Sequence, residues 1–173
     1  ADIEDKDQMV YIPTIRTSAK DNVTGINHTE ADKEVTITDT VTYKGLEVGR
    51  EYTVSGTLMN QRTGAKILVN GKPVTASTTF TAEKKEGSVE VVFAFDASAL
   101  EGTTTVVYEK LYTENKEVAA HTDINDKGQT IYIPKVRTTA IADDTKDHVT
   151  EAKKDVTIVD TVSYEGLEVG REY

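Results

Sequence analysis

The stretch VTITDTVTYKGLEVGREY, residues 35–52, returns as VTIVDTVSYEGLEVGREY at residues 156–173. Within it Val35, Ile37, Val41 and Tyr43 fall on alternate positions. Successive side chains of a strand point to opposite faces, so a period of two marks a strand with one apolar face. Asp39 shares that parity and sits in the middle of the apolar set. A carboxylate on a buried face must be paired, protonated or functional, because an isolated buried charge is costly.

The recurrence extends well beyond this strand. A shift of 121 positions aligns residues 2–52 with 123–173 without a gap. YIPTIRTSA at Tyr11–Ala19 becomes YIPKVRTTA at Tyr132–Ala140, and residues 53–121 occur once. Self-similarity at a fixed period of domain size indicates a tandem array. The expected division is the C-terminal strand of a preceding repeat at 1–13, a complete domain at 14–134, and the N-terminal part of the following repeat at 135–173. Strands without partners cannot bury a core, so 135–173 is expected to be poorly ordered alone.

With 173 residues, the chain is long enough for one full-sized domain and something more. A net charge of −10 without any basic run argues against a nucleic-acid partner. No apolar run approaches the length of a membrane span. The absence of Cys removes disulfides and thiolate metal sites. Alternating Val, Ile, Thr and Tyr predict strands at roughly 9–19, 34–43, 51–59, 66–69, 73–82, 88–95, 103–112, 116–121 and 129–134. In LVNGKPV, Asn70-Gly71 between two apolar runs signals a tight hairpin. FDASALEG, Phe95–Gly102, has room for one helical turn. No segment sustains a helical period, so the expected class is all-β, an Ig-like β-sandwich. Another closed all-β form is the alternative.

Parity places further polar side chains on apolar faces. Thr17 lies between Ile15 and Ala19, Glu109 between Val107 and Leu111, and Gln129 alternates with Ile131 and Ile133. His121 follows Ala119 at the same parity, although Val106 and Tyr108 make the opposite face of the Glu109 strand apolar too. Singly, each polar residue reads as an edge position facing solvent. Together with Asp39 they supply a hydroxyl nucleophile, a base, two carboxylates and a carboxamide electrophile, the components of an acyl transfer.

On these residues the chain resembles the ester-bond (Thr–Gln, VaFE-repeat) domains of Gram-positive surface adhesins. The matching segments are IRTSA with Thr17, ITDTVTY with Asp39, VVYEKLY with Glu109, and HTDINDKGQTIYIP with His121 and Gln129. VRTTA with Thr138, IVDTVSY with Asp160, and Gln8 near the start repeat the match, so the likeness covers nearly the whole chain. Tyr108 stands where the family name implies Phe. The resemblance implies a sandwich whose first and last strands are joined by a Thr17–Gln129 ester, with loss of ammonia. It implies His121 as base, and Asp39 and Glu109 as a carboxyl pair sharing a proton, one polarising the Gln129 carbonyl and the other orienting His121. Which carboxyl does which is left open by the sequence. Such a domain is its own substrate, so single-turnover autocatalysis rather than enzymatic activity is expected, with no cofactor.

The role so implied is a stalk module of a cell-wall-anchored adhesin or fibre outside the cell. Its partners would be adjacent repeats of the same protein, with any host-surface ligand bound by another part of the adhesin. An isopeptide-bonded stalk domain is the structural alternative, but the first strand has no Lys at core parity. A ligand-binding head domain would need a pocket signature that the sequence lacks. A hydrolase using Thr17, His121 and a carboxylate would lack a nucleophile elbow. DINDKG, Asp123–Gly128, begins like a calcium loop, but Lys127 and Pro134 stand where oxygen ligands are required, so no metal is expected. His28 aligns with Val149 and His148 with Asn27, and both histidines read as surface residues.

Overall fold

The structure, a computed structural model, describes residues 8–173. Twelve strands follow in order: β1 (Thr14–Asp21), β2 (Val35–Lys44), β3 (Glu51–Asn60), β4 (Leu68–Val69), β5 (Lys72–Pro73), β6 (Thr75–Thr81), β7 (Glu86–Phe95), β8 (Thr103–Thr113), β9 (Lys116–His121), β10 (Thr130–Ile133), β11 (Lys135–Ala142) and β12 (Ile158–Glu165). One sheet has the order β1-β2-β7, and the other runs β10-β8-β3-β6. β9 also pairs with β8, on the same edge as β10 but further along it. All pairings within these two sheets are antiparallel.

The two sheets face each other across one apolar core, the architecture of a β-sandwich. Ile37, Val41, Val91 and Phe93 enter it from one sheet, and Val54, Leu58, Val107, Leu111, Ile131 and Ile133 from the other; all are fully buried. Each such side chain contributes about 1.5–3 kcal/mol of transfer free energy. At one end Phe80 stacks between Tyr43 and Tyr52, with ring centroids 5.1 and 6.1 Å away. Alternation along β2 is unbroken: Val35, Ile37, Asp39, Val41 and Tyr43 are buried, as period-two reading predicts.

Local signals behave variously. Asn70 and Gly71 both take positive φ, 51° and 75°, and close the β4–β5 hairpin as a two-residue turn of the kind that fits strand twist. The expected helical turn in Phe95–Gly102 is absent. Asp96 accepts hydrogen bonds from the Ser98 N–H and hydroxyl, and Leu100 N–H bonds Ala97 O, which makes a turn instead.

His28 also departs from expectation: it is 8% exposed. The sequence offered no strand around it, yet the chain there bridges to β10. Thr29 N–H donates to Tyr132 O and Tyr132 N–H to Asn27 O, which draws the His28 ring under cover.

Residues 135–173, here joined to the sandwich, contain one hairpin. β11 and β12 pair with each other over eight residues, from Lys135↔Glu165 to Ala142↔Ile158. The hydrogen bonds of a hairpin are satisfied locally, so pairing survives although both faces are largely exposed.

Candidate functional site

Each sheet sends one carboxyl into the core from a central strand. β2 lies between β1 and β7, and its Asp39 stands opposite Ala19 and Val91. β8 lies between β3 and β9, and its Glu109 stands opposite Gly56 and His121. Both residues are 0% exposed, and none of their four carboxyl oxygens has a hydrogen-bond partner. Burial pushes Glu109 up to about 9, with the adjacent Asp39 charge adding to it. Burial also raises Asp39, to about 6. Glu109, the Ser18 N–H and the Thr17 hydroxyl lie near enough to oppose that rise without reaching hydrogen-bonding geometry. Two carboxylates this close in a dry site cannot both ionise cheaply, so the pair shares a proton, and burial raises Glu109 further than Asp39.

Space for the Glu109 carboxyl is created by a residue that strand parity does not single out. A Cβ on Gly56 would lie 2.4 Å from Glu109 Oε1 and 2.4 Å from Phe93 Cζ. Glycine in a strand interior weakens it and marks a close approach. Here the approach is that of an acid side chain folded over a neighbouring strand.

Thr17 projects from β1, the edge strand of its sheet, and is half-buried. Gln129 belongs to the opposite half of the sandwich and is 0% exposed. Its Nε2 donates a hydrogen bond to Thr17 Oγ1. Its Oε1 is buried without any partner. Parity predicts Gln129 within the last strand, and it does share burial with Ile131 and Ile133. The backbone differs: Gln129 ends a 3-10 turn, Lys127–Gln129, immediately before β10, with its N–H 3.2 Å from Asp126 O. That turn packs against β1, which is what brings the carboxamide to Thr17.

His121 ends β9, which also packs against β1. The expectation that a member of the buried pair orients this imidazole is not met by the hydrogen bonding. Its Nε2 lies 2.6 Å from Asp126 Oδ2. The other Asp126 oxygen accepts the Gly128 N–H at 2.7 Å and caps the 3-10 turn. Burial works against ionisation of Asp126, but the His121 hydrogen bond and the Gly128 N–H outweigh it and lower its pKa. One faint sequence signal pointed to this residue: at the 121-residue shift, Asp126 matches Asp5.

Among the described residues, the remaining expected positions do not assemble a second site. Thr138 and Asp160 hold the same register as their counterparts, with Thr138↔Val162 and Ala140↔Asp160 matching Thr17↔Val41 and Ala19↔Asp39. Both are exposed, as is Gln8.

Known proteins share the fold. The model of the T-Q ester bond containing domain matches residues 13–133 and again residues 134–173. Two structures of a bacterial adhesin from Mobiluncus mulieris, described as containing intramolecular disulfide, isopeptide and ester bond cross-links, have the same fold, with a TM-score of 0.58. They are 16% and 17% identical to this chain, over 90% of its length and 74% of theirs. No curated protein matches the chain. With both matched segments together spanning nearly all of its length, the chain belongs to the family of T-Q ester bond containing domains.

Proposed function

We propose that this chain is part of the stalk of a bacterial surface adhesin, in which an ester formed by the domain itself joins Thr17 to Gln129. The carrying observation is that a buried carboxamide, Gln129, rests on the hydroxyl of Thr17 across the two sheets. The array would comprise the end of one repeat at 1–13, a complete domain at 14–134 and the opening of the next at 135–173. It would stand outside the cell, anchored to the wall.

The reaction exchanges an amide for an ester. Asp126 holds the proton of His121 on Nε2, which leaves Nδ1 as the basic nitrogen. Nδ1 takes the proton of the Thr17 hydroxyl as Oγ1 attacks Cδ of Gln129. Negative charge develops on Oε1, which has no partner in the resting site, and protonated Glu109 is the donor for it. Ionised Asp39 stabilises the imidazolium formed in the same step. That imidazolium returns its proton to Nε2 of Gln129, the C–N bond breaks and ammonia leaves. Folding itself brings the reactants together, and effective molarities of about 10⁵–10⁸ M take the place of substrate binding. Each domain reacts once, so this is not enzyme turnover.

The crosslink would tie β1 to the segment that opens β10, and so close the sandwich between its terminal strands. Gln129 and Thr138 are nine residues apart, as are Gln8 and Thr17. Tension along the array would therefore pass from crosslink to crosslink through short connections. Intact-mass measurement on the denatured chain tests the proposal. The expected mass is one ammonia below that of the sequence, and hydroxylamine should cleave the bond where an isopeptide would persist. A folded chain of full sequence mass would overturn it.

A further inference from the structure

The contact between the sandwich and the β11–β12 hairpin has the character of a built joint. The loop following β12, Gly166–Tyr173, repeats the conformation of Gly45–Tyr52 in the complete domain. Gly45 and Gly166 have φ of 74° and 70°, and Gly49 and Gly170 have 86° and 88°. The Glu47 N–H donates to Tyr52 OH at 3.0 Å, and the Glu168 N–H to Tyr173 OH at 2.8 Å. The loop therefore takes the same form in both copies.

In both copies this loop meets what precedes its repeat. Glu47, Arg50 and Tyr52 line one cleft with Met9, Tyr11 and Pro13. Tyr173 meets His28 of the sandwich. Tyr173 OH accepts from the Glu168 N–H and lies 2.8 Å from His28 Nε2, while His28 Nδ1 lies 3.0 Å from Asn27 Oδ1, so both ring nitrogens have a polar partner. The His28 ring also stacks on Tyr132, the last aromatic before the hairpin, at 4.9 Å and 21°. Beside it, Arg137 of β11 forks onto both carboxylate oxygens of Glu101, at 2.8 and 2.5 Å. Two glycines let the backbones pass: a Cβ on Gly166 would lie 3.0 Å from the carbonyl of Gly102.

From these contacts we infer that the Gly166–Tyr173 loop and its equivalent are the face by which each repeat seats on the one before it. In this joint His28, Glu101 and Gly102 form the receiving surface, and the occupant is the following repeat of the same chain. Ester formation then rigidifies each domain, and this joint fixes domain to domain. The receiving histidine is specific to this junction, because Val149 stands at the matching position of the next repeat.

The inference rests on the array reading and not on the ester, and backbone ¹⁵N relaxation of the full chain tests it. Amides of β11 and β12 should tumble with the sandwich, with order parameters of about 0.85. In the His28→Val/Arg137→Ala double variant they should fall below about 0.6, while the order parameters of β1–β10 and the intact mass stay unchanged. His28→Val copies the residue of the next repeat, so the sandwich should tolerate it. A hairpin that moves independently in the unaltered chain, or one that stays rigid in the double variant, would overturn the inference. The mass read from the same samples reports separately on the ester.

Discussion

Two pairs of strands in this molecule carry nearly the same sequence in the same register and end in different states. β1–β2 and β11–β12 align residue for residue, with Ala19↔Asp39 and Ala140↔Asp160 as equivalent pairs. In the first pair Ile37, Asp39 and Val41 are 0% exposed; in the second Ile158 is 66% and Val162 54% exposed, and Asp160 faces solvent. The difference is the opposing sheet. β8 brings Glu109, β9 brings His121, and the 3-10 turn brings Gln129, and among the described residues nothing equivalent lies against β11–β12. A strand pair is a local product of alternation, whereas reactivity needs the second layer to exclude water and supply partners.

The largest effect expected of a substitution separates the two threonines. Thr17→Ala should abolish the mass deficit completely, and Thr138→Ala should leave it intact; loss of the deficit in the second variant would mean that the strand pairs are chemically equivalent. Next, His121→Ala should slow ester formation by about 10²–10⁴-fold, as loss of a general base does. Asp126→Asn should slow it in the same direction, and a time course of intact mass after refolding reads both.

Glu109→Leu, which has no donor, should cost about 10²–10³-fold, the scale of a lost oxyanion donor, where Asp160→Asn changes nothing. A pH series sharpens this contrast. Folded Glu109 keeps its proton to about 9, so ester formation should fall as pH rises through that value. The uncrosslinked Thr17→Ala chain binds more protons folded than unfolded from the ordinary carboxylate range up to about 9, so its melting temperature should fall as pH rises across that window. Thr17→Ala/Glu109→Gln should flatten the slope.

Gly56→Ala should crowd Glu109 and Phe93, costing about 1–3 kcal/mol by overpacking and slowing the ester through a displaced acid. Unaltered ester kinetics in a folded Gly56→Ala chain would remove Gly56 from the site. The smallest effect returns to the strand pairs. Ile37→Val should cost about 0.5–1.5 kcal/mol, while Ile158→Val should stay within about 0.5 kcal/mol; denaturant melts compare them.

Thr17, Asp39, Glu109, His121 and Gln129 were readable because each interrupts an apolar period, and a period is a property of the chain alone. Asp126 interrupts nothing. It lies in a polar turn, where an aspartate is ordinary, and only folding brings it to His121. Gly56 carries no polar group, and its meaning is the absence of a side chain where Glu109 needs room. His28 looked like a surface residue because its cover comes from Tyr132 and Tyr173, 104 and 145 positions away.

By itself, then, the sequence determined the strands, the buried parity and the 121-residue recurrence, since all follow from alternation and repetition along one dimension, whereas the pairing of Thr17 with Gln129 came from the family resemblance. How the two carboxyls meet, which residue bonds to His121 and what covers His28 were decided by the tertiary structure. Burial and charge proximity are set by what lies across the sandwich, and neighbours in space are not neighbours in the chain.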